Sequence, residues 1–239
     1  MEMSNMLRAE GNERKNTGGI PIVLTASHIE MSDFKLNPFV AFTGGFPSKI
    51  IPTEILRRYW YPITESNHDD SAKFAPYGLR KIETILIDEF GEENVVTVTP
   101  YNLNRVVGKN TRVIGISTMD PLGIGFVSRT YTSLLGMGGE PLSAYEFRHL
   151  INNPAIKRSN AKIIVGGSGA WQIVRGNKQD EFGIDTVVIG EAEKDIVEIV
   201  HNVMKKNDGQ KVVYTTKPLL KDIKPIRKPH GMVRFMSNH

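Results

Sequence analysis

Short apolar runs alternate with amphipathic stretches along most of the chain. The runs predict buried β-strands, and apolar residues that recur every three or four positions predict helices. The predicted strands are residues 20–24, 95–98, 112–117, 162–165 and 186–189, with a possible short strand at 212–214. The predicted helices are residues 53–59, 77–90, 103–107, 123–135, 144–151 and 193–206. Gly91 predicts the end of one helix, and Ser143 with Glu146 predicts a capping box at the start of another.

Strands that alternate with helices indicate a parallel sheet, because each parallel connection must cross over the sheet and a helix commonly makes that crossing. The continuous apolar runs of the later strands fit a sheet that is covered on both faces. We therefore expect an α/β fold, namely a flavodoxin-like (Rossmann-like), doubly wound sheet of five parallel strands in three α/β/α layers. Five strands are too few for the two halves of a dinucleotide-binding fold.

Three segments depart from this regular pattern. Residues 1–18 hold few large apolar side chains, so we expect a disordered tail there. Residues 19–208 are predicted to form the α/β domain, which includes a long irregular insertion at 32–76. The insertion is rich in proline and aromatic residues, and loops of this length in a compact domain are usually functional covers or binding loops. Residues 209–239 are predicted to form a C-terminal connector.

The composition excludes several classes of function and binding site. The 239 residues are 40% hydrophobic and 23% charged, as in ordinary globular proteins. The net charge is only +4 and basic residues are interleaved with acids, so no nucleic-acid partner is expected. The absence of cysteine excludes thiolate metal sites, iron–sulfur ligation, disulfides and cysteine nucleophiles within this chain. No apolar run reaches the roughly 20 residues that span a bilayer and the start is not a signal peptide, so we expect a cytoplasmic protein without a membrane partner.

The candidate binding residues lie where the predicted strands end, because ligands of open parallel sheets bind at the carboxyl ends of the strands. The third strand ends at Ser117 and Thr118, whose hydroxyls can hydrogen-bond a ligand, and Gly123 allows close backbone approach. A structural role is an equally good interpretation of this loop. Ser117 and Asp120 could instead cap the next helix, with Pro121 at its start.

The loops after the fourth and fifth predicted strands are also unusual. Gly166, Gly167 and Ser168 leave backbone unshielded by side chains, yet their spacing is neither that of a Walker loop nor that of GxGxxG. No lysine follows to bind phosphate, which argues against nucleoside triphosphates. Trp171 could stack on a ligand, although packing is the more common role. Gly190 and Glu191 precede the last helix, where stabilisation of the helix N-terminus by an acid is the favoured interpretation and hydrogen bonding to a ligand is the alternative.

Catalytic groups are scarce in this sequence. The six histidines show no metal-ligand spacing, and neither HExxH nor GxSxG is present, so we predict no catalytic residue and no metal ligand. Asp69 and Asp70 follow His68, but an exposed acidic loop is the favoured interpretation of that triplet.

Four segments together resemble a known family: PIVLTASHIEMSDFKLNPFVAFTGGFP (21–47), GISTMDPLGIG (115–125), KIIVGGSGAW (162–171) and VVIGEAE (187–193). Their order and spacing are similar to those of the N-terminal cobalamin-binding domain of archaeal radical S-adenosylmethionine (radical SAM) proteins. The resemblance implies a flavodoxin-like sheet with cobalamin over the carboxyl ends of its strands. The cofactor-binding residues that it implies are Thr25 and Ser27 at the lip, Ser117, Thr118 and Gly123 on one side, Gly166, Gly167 and Ser168 against the tail or ring amides, and Gly190 and Glu191 on the opposite wall.

Two departures from the family limit what the chain can do. It lacks the DxHxxG motif of methionine-synthase-like cobalamin domains, so no histidine ligation from that motif is expected. It also lacks the CxxxCxxC motif that holds a [4Fe–4S] cluster, and residues 224–235 resemble the connector that precedes this motif. The resemblance thus implies a cobalamin-binding module that is not catalytic alone and that serves a separate or missing radical SAM catalytic subunit, for example in methyl transfer.

The alternative is a degenerate interaction or regulatory domain that kept the fold and lost the cofactor. In that case aromatic residues of the insertion would form a docking surface or fill the pocket over Gly166 and Gly190. The residues concerned are Phe34, Phe39, Phe42, Trp60 and Tyr61.

Overall fold

The computed structural model describes residues 18–34, 37–63, 65–205 and 211–229. Apart from Gly18, the predicted tail at 1–18 lies outside the described residues, and so do residues 230–239 of the predicted connector.

The described chain contains a sheet of six parallel strands. The strands are β1 Ile22–Ala26, β2 Val95–Thr97, β3 Val113–Ser117, β4 Lys162–Gly166, β5 Thr186–Ile189 and β6 Val212–Tyr214, and their order in the sheet is β2-β1-β3-β4-β5-β6. The α/β class is confirmed, but the predicted number of five strands was wrong. The sixth strand lies in the predicted connector, where Val212 and Val213 pair with Val187 and Val188 of β5.

Helices connect these strands. They are α1 Thr53–Tyr59, α2 Tyr77–Phe90, α3 Leu103–Val106, α4 Phe126–Arg129, α5 Leu142–Ile151, α6 Pro154–Arg158, α7 Ala170–Arg175, α8 Gln179–Phe182 and α9 Ile196–Lys205. Gly91 ends α2 with a φ of 88°, in the left-handed region that glycine adopts readily. None of the helices in the described ranges is long and apolar enough to cross a lipid bilayer.

Three predicted helix starts were wrong. The helix predicted at 193–206 begins only at Ile196. The helix predicted at 123–135 begins only at Phe126 and continues as a π-helical turn over Thr130–Leu134. The capping box before α5 is not formed. The Ser143 hydroxyl donates to Asp120 Oδ2 at 3.4 Å instead. The Glu146 carboxylate is buried against Arg57, which removes it from the helix start.

The sheet separates two apolar cores because successive side chains of a strand point to opposite faces. Val23 and Ile114 belong to the core beneath α3, α5, α6, α7 and α8. Their neighbours Ile22 and Val113 belong to the core beneath α2 and α9. The arrangement is three layers, α/β/α.

The insertion packs against one end of the sheet with a small core of its own. Ile29, Phe34, Leu56 and Tyr61 are buried there with Leu142 of α5. Backbone hydrogen bonds also tie the insertion to the start of α5, since Ser48 N donates to Glu140 O at 2.8 Å and Leu142 N to Phe46 O at 2.8 Å. The insertion thereby covers the chain where it leaves β1.

Candidate functional site

A cavity of about 440 Å³ lies between the sheet and the helix pair α2 and α9. Helices that join parallel strands run antiparallel to them, so both helices begin at the carboxyl edge of the sheet. The cavity opens at this edge, beside the ends of β3, β4 and β5. Its size is that of an ordinary small-molecule site, and its position is where open parallel sheets bind ligands.

The interior of the cavity is apolar. Its floor is the sheet face formed by Ile22, Leu24, Val113, Ile164 and Val188. Its walls are apolar residues of the two helices, namely Leu79, Ile82 and Leu86 of α2 with Ile196 and Val200 of α9. An uncharged, apolar group is therefore the kind of ligand that would be stable inside, because burying an unpaired charge there is costly.

The mouth of the cavity brings together residues from three different exit loops. These are the sequence-predicted residues Ser117, Gly166, Gly167, Ser168, Gly190 and Glu191. Trp171 also lies at the mouth, 40% exposed, with the Arg175 guanidinium 5.8 Å from its ring centroid. Two hydroxyls and the backbone of the glycine loops are thus available to hydrogen-bond a ligand at the rim.

The three glycines at the mouth, Gly166, Gly167 and Gly190, are glycine for different physical reasons. A Cβ on Gly166 would lie 3.9 Å from Val188 Cβ, at ordinary contact distance, so the absent side chain leaves free space in the cavity. A Cβ on Gly167 would lie 2.6 Å from Thr118 O, and one on Gly190 would lie 2.5 Å from Thr215 Oγ1. Both have positive φ, at 96° and 106°. Gly167 and Gly190 are therefore required by loop packing, and Gly166 is the glycine that opens the cavity.

The remaining sequence-predicted residues do not line the cavity: Thr25, Ser27, Thr118 and Gly123. Thr25 follows Leu24, and strand alternation turns it to the other face, where its hydroxyl donates to Val98 O at 2.9 Å. Ser27 is fully buried. The Thr118 hydroxyl donates to Glu30 Oε1 at 3.3 Å, and Gly123 makes a left-handed turn, φ 66°, against Pro141.

Glu30 joins the loop after β1 to the loop after β3. Its Oε1 accepts hydrogen bonds from Met119 N at 2.9 Å and from the Thr118 hydroxyl, whereas its buried Oε2 has no hydrogen-bond partner. Burial raises the pKa of Glu30 to about 7, although these two hydrogen bonds oppose the rise. Asp120 adds to the rise by charge repulsion. The carboxyl group therefore changes protonation close to neutral pH.

An ion pair at the mouth was not anticipated from the sequence. The Lys81 ammonium of α2 donates to Glu193 Oε1, just before α9, and both residues line the cavity. Lys81 also lies 5.4 Å from the Tyr77 ring centroid. The helical spacing of Leu79, Ile82 and Leu86 predicted α2. It did not indicate that the apolar face of α2 borders a cavity, or that Lys81 contacts the segment before α9.

A second polar cluster lies away from the cavity, beneath the insertion. Arg57 donates to both oxygens of Glu146, at 2.9 and 2.8 Å, and the Tyr61 hydroxyl donates to Glu146 Oε1 at 3.3 Å. His28 Nε2 lies 3.2 Å from Tyr61 O. Burial and the nearby Arg57 charge lower the pKa of His28 to about 3, and burial raises the pKa of Tyr61. These residues support the insertion and do not face the mouth.

The aromatic residues of the insertion do not fill the cavity. Phe34 and Tyr61 are buried in the small core. Phe39 and Phe42 are 79% and 51% exposed, and Trp60 is partly exposed. None of them is among the described residues that line the cavity.

The acidic triplet of the insertion is part of a loop. Asp69 Oδ1 accepts from the backbone and the hydroxyl of Ser71, and Asp70 pairs with Arg105 at 2.7 Å. Within the described ranges, no group of three or more histidine, aspartate or glutamate side chains could hold a metal ion.

Comparison of the chain with models of protein families, with curated proteins and with solved structures finds no match.

Proposed function

We propose that this protein is a cobalamin-binding module, with the corrin ring over the glycine loops at the carboxyl edge and the nucleotide tail in the cavity. The observation that carries the proposal is the apolar cavity that opens at the ends of β3, β4 and β5. The family resemblance of the exit loops points to the same edge of the sheet.

The residues at the cavity fit such a ligand. A volume of about 440 Å³ is smaller than a complete corrinoid, so the flat base of the tail would enter and the ring would remain outside. The vacant position beside Gly166 and Val188 is open to the base. The Ser117 and Ser168 hydroxyls can exchange hydrogen bonds with the amide side chains that surround a corrin ring.

The strand order adds support. The first five strands have the order 2-1-3-4-5, which is that of flavodoxin-like sheets, and β6 extends the sheet beyond β5. Glu30 joins the exits of β1 and β3, the pair of strands at which this order reverses.

The chain would bind and orient the cofactor and leave the reaction to another polypeptide or domain. Cobalamin, when bound, supplies a cobalt centre that carries a methyl group. With no cysteine, this chain has no ligands of its own for an iron–sulfur cluster, so a radical SAM partner would have to provide them. The apolar cavity and the rim hydroxyls would fix the position in which the cofactor meets that partner.

The test is retention of a corrinoid. The purified chain is mixed with hydroxocobalamin and passed through a gel-filtration column, and visible absorption is followed with the protein. We expect stoichiometric colour in the protein peak. Phe39→Ser, at an exposed position outside the cavity, is the matched control and should retain colour like the wild type. Colourless wild-type protein at high loading would reject the proposal in favour of the degenerate interaction domain.

A further inference from the structure

Lys81 is the cationic side chain that lines the described mouth of the cavity, and the Arg175 guanidinium lies near the mouth over the Trp171 ring. Among the described residues that line the cavity, Glu191 and Glu193 are the acidic ones. The Lys81 side chain is 21% exposed and its partner Glu193 is 5% exposed. An anionic group arriving at this mouth would therefore be repelled by two carboxylates and attracted by one ammonium.

The ammonium is already engaged. Lys81 belongs to α2 and Glu193 precedes α9, so their ion pair joins the two helices at the edge where the cavity opens. The ammonium has three N–H donors and gives one to Glu193, so a bound anion competes with Glu193 for the position of the ammonium. The Tyr77 ring beneath the ammonium does not compete for that anion, and it would hold Lys81 near the mouth during the exchange.

We propose that Lys81 exchanges partners when ligand binds: it releases Glu193 and donates to an anionic linker of the ligand. This inference rests on the proposed function, because the phosphodiester of cobalamin joins the ring outside to the base inside and so would lie at the mouth. Lys81 is then a specificity-determining residue that favours corrinoids with a complete nucleotide tail. The released Glu193 carboxylate stays three residues before α9, whose N-terminus favours negative charge.

The geometry of the pair favours an exchange. Lysine presents a compact ammonium that can turn to a new acceptor, whereas arginine holds a carboxylate in a fixed fork. Only one bond to Glu193 is lost, and no other hydrogen bond to the Glu193 carboxylate is present in the described structure.

The test compares two corrinoids on three variants. Wild type, Lys81→Met and Glu193→Gln are titrated with cobalamin and with cobinamide, which lacks the phosphodiester and the base. Lys81→Met should weaken cobalamin binding by about tenfold or more, the effect of losing a hydrogen bond to a charged group, and should leave cobinamide nearly unchanged. Glu193→Gln removes the competing carboxylate and should strengthen cobalamin binding about twofold to fivefold. Lys81→Arg keeps the charge but holds Glu193 in a fixed fork, so its affinity for cobalamin should lie between those of wild type and Lys81→Met.

Lys81→Met and Glu193→Gln are expected to change cobalamin affinity in opposite directions, and this difference distinguishes an exchange of partners from a structural role of the ion pair. If both variants weaken both corrinoids equally, the ion pair only holds the helices together and the inference is wrong. If neither variant changes cobalamin binding, Lys81 does not meet the linker and the inference is again wrong, although the proposed function stands. If wild type binds neither corrinoid, the proposed function fails and the exchange fails with it. Circular dichroism melting curves verify that each variant is folded.

Discussion

The two faces of the sheet have the same kind of apolar surface but are covered differently. Five helices cover the face that contains Val23 and Ile114, and aromatic rings fill its centre, with Phe147 and Phe182 edge to face at 5.6 Å. Two helices cover the opposite face, and the described residues buried in that core are without aromatic rings. We call the first the filled face and the second the cavity face.

The cavity lies where two glycines leave side-chain volume empty on the cavity face. Gly78 and Gly166 line it, and a Cβ on either would enter open space or meet a neighbour only at ordinary contact distance, whereas the Leu24 side chain occupies the space beside Gly115. Protein interiors otherwise pack to the density of organic crystals, so an apolar void of this size is unusual and is a natural place for a ligand. Burial alone does not distinguish the two faces, because Leu150 on one and Leu86 on the other are 3% and 1% exposed.

The faces also differ in the ion pair at their carboxyl edge. On the filled face, Arg57 and Glu146 form two parallel hydrogen bonds and Tyr61 adds a third. On the cavity face, Lys81 donates a single hydrogen bond to Glu193. A pair with several fixed partners holds structure in place, whereas a pair with one bond can be exchanged.

The largest effect should come from breaking the two ion pairs. Arg57→Met leaves the Glu146 carboxylate buried without its partner, which should lower the free energy of unfolding by about 3–5 kcal/mol. Lys81→Met should lower it by less, about 1.5–3 kcal/mol, because the buried Glu193 carboxylate loses one hydrogen bond where Glu146 loses two. Urea denaturation of both variants at pH 7 measures the difference. Equal losses would contradict the distinction between a fixed pair and an exchangeable one.

The regular elements were predictable because local patterns determine them. Residues 186–189 form one apolar run between turns, and they are β5 with the predicted bounds. Gly91 could be assigned from its place after the last apolar residue of α2. The strand β6 was difficult because three residues carry little periodic signal and pair only through contact with distant β5. Glu146 was misassigned because its partner Arg57 is remote in sequence.

The site could be predicted only at its rim. Parallel strands put their exit loops at one edge, so the sequence alone groups Ser117, Gly166 and Gly190. The floor and walls were not identified, because an apolar pattern indicates burial and does not indicate whether the packing is complete. Lys81 was missed for a related reason. Its side chain contacts Glu193, more than a hundred positions away in sequence. The spacing of residues along the chain does not indicate contacts between such distant positions.

A matched pair of core truncations measures how tightly each face is packed. Leu150→Ala removes a side chain surrounded by the filled core and should cost about 3–5 kcal/mol. Leu86→Ala removes a side chain that already borders the cavity and should cost about 2–3 kcal/mol, since it has fewer contacts to lose. Chemical denaturation gives both values. A larger loss for Leu86→Ala would mean that the cavity face is packed as fully as the other.

Filling the cavity should remove ligand binding without unfolding the protein. Gly166→Leu projects a side chain into the free space beside Val188, and corrinoid affinity should fall at least about 100-fold, or about 2.7 kcal/mol. Stability should change by less than about 1 kcal/mol, because the new side chain occupies existing space. Gly166→Ala adds one methyl group and is the matched control, with most of the affinity retained. Full binding by Gly166→Leu would place the ligand elsewhere.

The smallest expected effect concerns Glu30, at the edge between β1 and β3. Its pKa is about 7 in the folded protein and 4.5 without the protein environment, so the folded state binds more protons between these values. Stability from this group is therefore fully present below pH 4.5 and is lost as pH rises through 7. Glu30→Gln keeps the shape without the charge, and above pH 7 it should be more stable than wild type by about 1–2 kcal/mol.

The measurement is the difference between the melting curves of wild type and Glu30→Gln from pH 4.5 to 8.5. That difference isolates Glu30 from His28, whose lowered pKa has the opposite effect: stability is lost as pH falls from 6.5 toward 3. We expect the advantage of the variant to grow up to about pH 7 and then level off. A difference that does not change with pH would show that the unpartnered Oε2 is solvated in solution. The contact through which Glu30 joins the loop after β1 to the loop after β3 would then be looser than the strands on either side of it.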